Sequence, residues 1–116
     1  MSESAKNIKV PDPIKFNNVS VISKANVYFD GKVVSHTVIL ADTSKKTLGL
    51  IYPGTFLFNT IAPEKMEIIG GKCLVKISGE KEWTPHESGT FFKVPGNSSF
   101  EITVESGITE YICSFE

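Results

Sequence analysis

The chain has 116 residues, of which 41% are hydrophobic and 22% are charged, and its formal net charge is −1. This length suits a single domain, and this composition excludes a disordered polyelectrolyte. Because 12 basic residues balance 13 acidic ones, we expect no general attraction to nucleic acid or to an anionic membrane.

Residues 1–16 are predicted to form an N-terminal arm that is either flexible or adds a strand to a sheet, since they include Pro11 and Pro13 and few large apolar side chains. Neither a signal-peptide core nor an apolar run of membrane-spanning length is found, which predicts a cytoplasmic protein. Cys73 and Cys113 lie among apolar strand residues, so we expect two buried free thiols rather than a disulfide.

The remaining residues, 17–116, are predicted to form one antiparallel β domain of about nine or ten strands. Short runs rich in Val, Ile, Phe, Thr and Tyr alternate with turn residues, which is typical of a sandwich or barrel. The only window with a helical period, Ala62–Ile69, is too short to pack as a helix. The turns are marked by Asp30-Gly31, Pro53-Gly54, Gly70-Gly71, Ser78-Gly79, Ser88-Gly89, Pro95-Gly96 and Ser106-Gly107.

Two stretches resemble the sequence motifs of cupins. In the first, Glu64 is followed by six residues and Gly71, which matches the second half of the first cupin motif. In the second, Gly89 is followed by five residues and then Pro95-Gly96, as in the second cupin motif. The resemblance implies a single cupin-type antiparallel β-barrel, or jelly roll.

The same motifs lack the histidines that bind metal in most cupins. Phe58 and Thr60 stand where the His-x-His pair belongs, or Leu57 and Asn59 if the spacing is one residue longer, and Phe100 stands where the third His belongs. Of the usual ligands only Glu64 is left, and one carboxylate does not hold a transition metal. We therefore expect no metal and no other cofactor.

A narrower likeness covers the chain from about residue 26 to the C-terminus. The segments Asn26–Ser35, Leu48–Leu50, Pro63–Met66 and Tyr111–Cys113, among others in the same order, resemble the pyrimidine/purine nucleoside phosphorylases of bacteria. The resemblance implies a metal-free homodimeric enzyme that cleaves purine and pyrimidine nucleosides with inorganic phosphate, giving a free base and ribose 1-phosphate.

Within this likeness, Glu64 and Thr60 are the expected catalytic residues. The motif directs Glu64 into the barrel, where a carboxylate stabilises the positive charge of the transition state or binds the ribose hydroxyls. Thr60 occupies a former ligand position and is expected to face the same cavity. For phosphate, the chain contains no Arg, so Lys32, Lys45 and backbone N–H groups are the expected donors.

Aromatic side chains are the expected walls for the flat base. Tyr28, Phe58, Phe100 and Tyr111 are the predicted substrate-binding residues of this kind. Two alternatives stay open: a metal-free cupin that binds a small ligand or a partner without turnover, and a sugar isomerase that uses Tyr111 and His36 as an acid–base pair.

Overall fold

A computed structural model of the protein describes residues 13–116. This part of the chain forms eleven strands and one short turn of 3-10 type, Phe29–Gly31. No helix in it is long and apolar enough to cross a membrane. The strands are β1 (Ser20–Val21), β2 (Asn26–Tyr28), β3 (Val33–Ile39), β4 (Lys45–Ile51), β5 (Gly54–Asn59), β6 (Glu64–Gly70), β7 (Lys72–Ile77), β8 (Thr84–Glu87), β9 (Phe91–Val94), β10 (Ser99–Val104) and β11 (Thr109–Phe115).

The strands form two antiparallel sheets. The larger has seven strands in the order β1-β3-β4-β11-β6-β9, with β2 also paired to β3, and the smaller has the order β5-β10-β7-β8. The predicted all-β antiparallel architecture is confirmed, with slightly more strands than the nine or ten expected. Closure of the sheets into a barrel stays a prediction, and most of the predicted arm, residues 1–12, lies outside the described residues.

The hydrophobic core lies between the two sheets and follows strand alternation. In β10, Phe100, Ile102 and Val104 are 2% exposed or less, whereas Glu101 and Thr103 between them are half-buried. Each fully buried aliphatic or aromatic side chain of this kind stabilises the fold by about 1.5–3 kcal/mol. The core therefore fixes the spacing between the sheets, and with it the shape of any cavity between them.

Candidate functional site

A cavity of about 370 Å³ opens beside the core between the two sheets, a size suited to a small-molecule ligand. It brings together five of the eight predicted site residues. Its lining is formed by Tyr28, Phe29, Ser35, Thr47, Ile51, Leu57, Phe58, Asn59, Glu64, Met66, Phe100, Tyr111, Cys113 and Phe115.

Glu64 is the first residue of β6, and its half-buried carboxyl lines the cavity. The thiol of Cys113, on the neighbouring strand β11, donates a hydrogen bond to Oε1 at 3.4 Å. Burial raises the pKa of Glu64 above its ordinary value, and the bond from Cys113 opposes part of that rise. Burial thus destabilises the charged form of this carboxyl, and a positively charged ligand in the cavity would stabilise it.

Stacked aromatic rings form one wall of the cavity. Phe58 in β5 and Phe100 in β10 are directly paired residues, and their rings stack with centroids 5.4 Å apart and planes 19° apart. The rings of Phe29 and Tyr28 are nearly perpendicular to that of Phe58, with centroids 5.5 and 6.5 Å from it. Phe100 is 2% exposed, whereas Phe58 is only half-buried. Phe58 is therefore the ring of this stack that is accessible to a ligand.

A left-handed turn delivers Phe29 to this wall. Phe29, Asp30 and Gly31 have φ values of 52°, 55° and 88°, a conformation that costs a non-glycine residue about 1 kcal/mol or more. The turn places the Phe29 ring 5.0 Å from Phe56 as well as against Phe58. The sequence marks the turn through Asp30-Gly31, but it gives no sign that Phe29 itself is left-handed.

Tyr111 reaches across the large sheet beneath the cavity. Its ring lies over Gly49 of β4, where any Cβ would overlap the phenol end of the ring, and Ser35 of β3, the strand partner of Gly49, lies beside its hydroxyl. Burial raises the pKa of Tyr111 to about 12, although the neighbouring Ser35 hydroxyl opposes the rise. Gly49 is therefore required by the close approach of a side chain.

We expect Gly49→Ala to displace Tyr111 and to destabilise the fold by about 1–3 kcal/mol, as overpacking of a rigid buried site does. Denaturant unfolding measures the loss. Gly70→Ala is the matched control, because a Cβ there meets mainly the side chain of exposed Glu110, which is free to move. Equal losses in the two variants would contradict the role given to Gly49.

Thr60, which we expected to face the cavity, lies outside its described lining. Its hydroxyl donates to the carbonyl of Pro95 at 2.6 Å and accepts from the backbone N–H of Ser98 at 3.0 Å. The side chain is 5% exposed and is absent from the described cavity lining. Thr60 directly follows β5 and lies against the turn of the second motif, so its hydroxyl stabilises that turn.

We expect Thr60→Val to lower the free energy of unfolding by about 2 kcal/mol, because two partly buried backbone groups lose their partner. Chemical denaturation checks this value. The control is Thr55→Val in β5, whose hydroxyl bonds only that of Thr103 at an exposed position, and a change within about 0.5 kcal/mol is expected there. A Thr60 variant as stable as the Thr55 variant would contradict this role.

The predicted cations and the predicted acid–base pair are not gathered at the cavity. Lys32 follows the left-handed turn and Lys45 begins β4; both are exposed, and neither is in the described lining. His36 is exposed and its Nδ1 lies 3.3 Å from the carbonyl oxygen of Ile22. His36 also lies outside the cavity lining to which Tyr111 belongs. The structure therefore does not bring together the acid–base pair that the sugar-isomerase alternative requires.

A larger hollow of about 440 Å³ lies over β7, β8 and β10, lined in part by Lys72, Leu74, His86, Glu87 and Glu105. Within the described residues it has no Phe, Tyr or Trp in its wall. Burial lowers the pKa of His86, although Glu80 opposes this. The smaller cavity combines aromatic faces with a carboxyl and is therefore the better candidate for a nucleoside.

Residues 13–116 contain no group of three or more His, Cys, Asp or Glu side chains that could hold a metal ion. Cys73 and Cys113 are both buried free thiols, in agreement with the sequence. Burial raises the pKa of Cys73 to about 11 and raises that of Cys113 further. Both thiols are therefore protonated near neutral pH, and Cys113 is a hydrogen-bond donor to Glu64.

The fold and the cavity together define a small β protein of the cupin-like class. A structure of oxalate decarboxylase from Bacillus subtilis superimposes on 90% of the chain with a TM-score of 0.69, using 30% of its own length, at 16% sequence identity. The structure of an Acinetobacter protein of unknown function superimposes on 88% of this chain, using 98% of its own length, with a TM-score of 0.85 and 46% sequence identity. The first likeness concerns the fold alone.

The family is narrower than the fold. Residues 23–115 match the profile of the family described as pyrimidine/purine nucleoside phosphorylase. A pyrimidine/purine nucleoside phosphorylase from Dechloromonas aromatica is 57% identical over 101 residues, which cover 87% of this chain and 97% of the relative. The chain belongs to the pyrimidine/purine nucleoside phosphorylase family, which confirms the resemblance found in the sequence.

Proposed function

We propose that this protein is a nucleoside phosphorylase that cleaves purine and pyrimidine nucleosides with inorganic phosphate. The observation that carries the proposal is the aromatic-walled cavity containing Glu64, in a chain that belongs to this family. A phosphate oxygen bonds to C1′ of the ribose as the bond from C1′ to the base nitrogen breaks. The electron pair of that bond leaves with the base, which takes up a proton, and ribose 1-phosphate remains.

The base stacks on Phe58, which Phe100 supports from behind. Stacking of a base on an aromatic side chain contributes about 1–3 kcal/mol and tolerates every base, because each has a π-face. The rings of Tyr28 and Phe29 stand nearly perpendicular to Phe58 and confine the base from the side. A pocket that binds the face of the ring rather than its edge suits both purines and pyrimidines.

Glu64 acts on the ribose in this proposal. The departure of the base leaves positive charge on the sugar, and a carboxylate in a partly desolvated cavity stabilises that charge more than it does in water. Burial makes the anion costly in the empty site, so the developing cation relieves an existing penalty. The contact with Cys113 holds the carboxyl at the cavity wall.

Phosphate is bound in part by neutral donors. The described lining contains no Lys, but it includes the hydroxyl of Thr47 and the amide of Asn59. Lys45 lies two residues before Thr47 in β4 and shares its sheet face by strand alternation. In this proposal Lys45 lies at the mouth of the cavity, where its charge attracts phosphate without being buried. Lys32 has no role in phosphate binding.

The same proposal includes a homodimer and a location in the cytoplasm. The outer face of the large sheet exposes apolar side chains, among them Val27, Leu50, Ile69 and Phe91, which suits a homodimer interface. Two free thiols suit the reducing cytoplasm. The two sheets are taken as the halves of a closed cupin jelly roll around the cavity.

The test is to incubate the purified protein with uridine, inosine and adenosine, with and without phosphate, and to separate bases and sugars by chromatography. Base release that requires phosphate and yields ribose 1-phosphate supports the proposal. Release without phosphate would identify a hydrolase instead. Binding of nucleosides without any turnover would favour the alternative of a ligand-binding cupin.

A further inference from the structure

Four residues form one row across the inner face of the large sheet, ending at the cavity. Asn26 of β2 pairs with Ser35 of β3, Ser35 pairs with Gly49 of β4, and Gly49 pairs with Tyr111 of β11. Because Gly49 has no side chain, the Tyr111 ring passes over it and its hydroxyl meets Ser35. The row thus joins Asn26, outside the lining, to a residue of the lining.

The hydrogen bonds that Asn26 makes at the start of this row have a fixed direction. The Asn26 amide nitrogen donates to Ser35 Oγ at 3.2 Å and to Thr37 Oγ1 at 3.1 Å, which uses both of its protons. Ser35 Oγ therefore accepts from Asn26 and keeps its own proton for the Tyr111 hydroxyl beside it. With Ser35 as the donor in that contact, the Tyr111 proton is left for the cavity.

We propose that Asn26 is a positioning residue that orients the Tyr111 hydroxyl as a hydrogen-bond donor to an acceptor oxygen of the substrate. The inference rests on the proposed function for the identity of that substrate, whose acceptor oxygen belongs either to phosphate or to the ribose. It gives Tyr111 a polar role in addition to that of an aromatic wall.

Two features of the cavity support a donor at this position. Burial raises the pKa of Tyr111 to about 12, so the phenol keeps its proton at neutral pH. The lining has no cationic side chain among the described residues, and its one carboxyl, Glu64, only accepts hydrogen bonds when charged. A substrate rich in oxygen therefore needs neutral donors of fixed direction.

The variant Asn26→Asp tests this direction because it keeps the shape of the side chain and replaces the amide donor by an acceptor. Ser35 and Thr37 then donate to Asp, and Tyr111 has to give its proton to Ser35 instead of to the substrate. We expect kcat/KM of Asn26→Asp to be about tenfold lower than that of wild type, as for the loss of one neutral hydrogen bond in a buried site. A similar decrease in kcat/KM is expected for Tyr111→Phe.

The double variant separates this relay from a simple charge effect. If Asn26 acts through Tyr111, Asn26→Asp has no further effect in the Tyr111→Phe background. A full additional loss in that background would show that the new charge acts directly on the substrate, and it would overturn the inference. Thr37→Val is the matched control, because it removes the other arm of Asn26 and leaves Ser35 and Tyr111 in place; activity within about twofold of wild type is expected.

Separate measurements for the two substrates identify the acceptor. A rise confined to the KM for phosphate places a phosphate oxygen at Tyr111, and a rise confined to the KM for inosine places a ribose oxygen there. Calorimetric titration of phosphate and of inosine into wild type, Asn26→Asp and Tyr111→Phe needs no turnover. If the wild-type protein binds inosine but does not cleave it, the proposed function is wrong, and the comparison of binding still tests the relay. Equal binding by all three proteins, or binding by none of them, would overturn the relay.

Discussion

Glu64→Gln is expected to lower kcat/KM for nucleoside phosphorolysis by roughly two to three orders of magnitude, the loss typical of removing a charge aimed at the transition state. The amide keeps the size and hydrogen-bonding capacity of the side chain but loses its charge. Steady-state kinetics with inosine and uridine at saturating phosphate measure the effect. A variant with near wild-type kcat/KM would remove Glu64 from the mechanism.

Protein stability separates this loss from unfolding. Burial raises the pKa of Glu64 in the folded state, so folding favours the protonated form, and this contribution to stability is full at low pH and is lost as pH rises through the folded pKa. At neutral pH the neutral Gln is therefore expected to leave the free energy of unfolding unchanged or slightly higher. Glu67→Gln, in the same strand but outside the cavity lining, is the matched control and is expected to retain full activity.

The pH profile gives the same residue a second signature. If the carboxylate is the active form, kcat/KM falls as pH drops through the pKa of Glu64, which lies above the ordinary value for a glutamate. The Glu64→Gln variant is expected to lack this acid limb. An unchanged limb in the variant would assign it to another group.

Phe100→Ala is expected to give the largest loss of stability, about 3–5 kcal/mol, because it empties a well-packed core site. Phe100 is 2% exposed and contacts the rings of Phe58 and Phe92 at centroid distances of 5.4 and 5.5 Å. Denaturant unfolding measures the loss. A loss below about 1 kcal/mol would show that the ring is not packed in a rigid core.

Phe58→Ala is the matched comparison, since it removes the same ring from the cavity side of the stack. Phe58 is only half-buried, so its loss of stability is expected to be the smaller of the two. Its effect is expected in binding, as a rise of about tenfold or more in KM for the nucleoside, from the loss of base stacking. The reverse order, with Phe58 the more stabilising ring, would contradict this division of roles.

The sequence predicts those parts of the fold that depend on local patterns. Alternation along β10 places Phe100 inward, and the spacing from Glu64 to Gly71 indicates a carboxyl directed into the cavity; in the structure both line it. Alternation is less informative in β11, where Ile112 faces away from the cavity and is nevertheless 2% exposed. Neighbouring strands β4 and β6 flank it on both sides, with Leu48 and Glu67 as its strand partners.

Features that depend on strand register are not visible in the sequence. Thr60 alternates in phase with the cavity residue Phe58, yet its hydroxyl is used by a turn 35 residues away. Asn26 is joined to Tyr111 only because four strands align in one row. A Gly between two leucines, Leu48-Gly49-Leu50, is the one local sign of that row, since glycine in a strand interior indicates a close approach.

The most direct measurement is a crystal structure with a nucleoside and phosphate, or with ribose 1-phosphate and a free base. The base is expected to stack on Phe58, with the ribose within hydrogen-bond distance of Glu64 and an acceptor oxygen at the Tyr111 hydroxyl. A nucleoside bound in the hollow beside His86, with Glu64 contacting no ligand atom, would contradict this account.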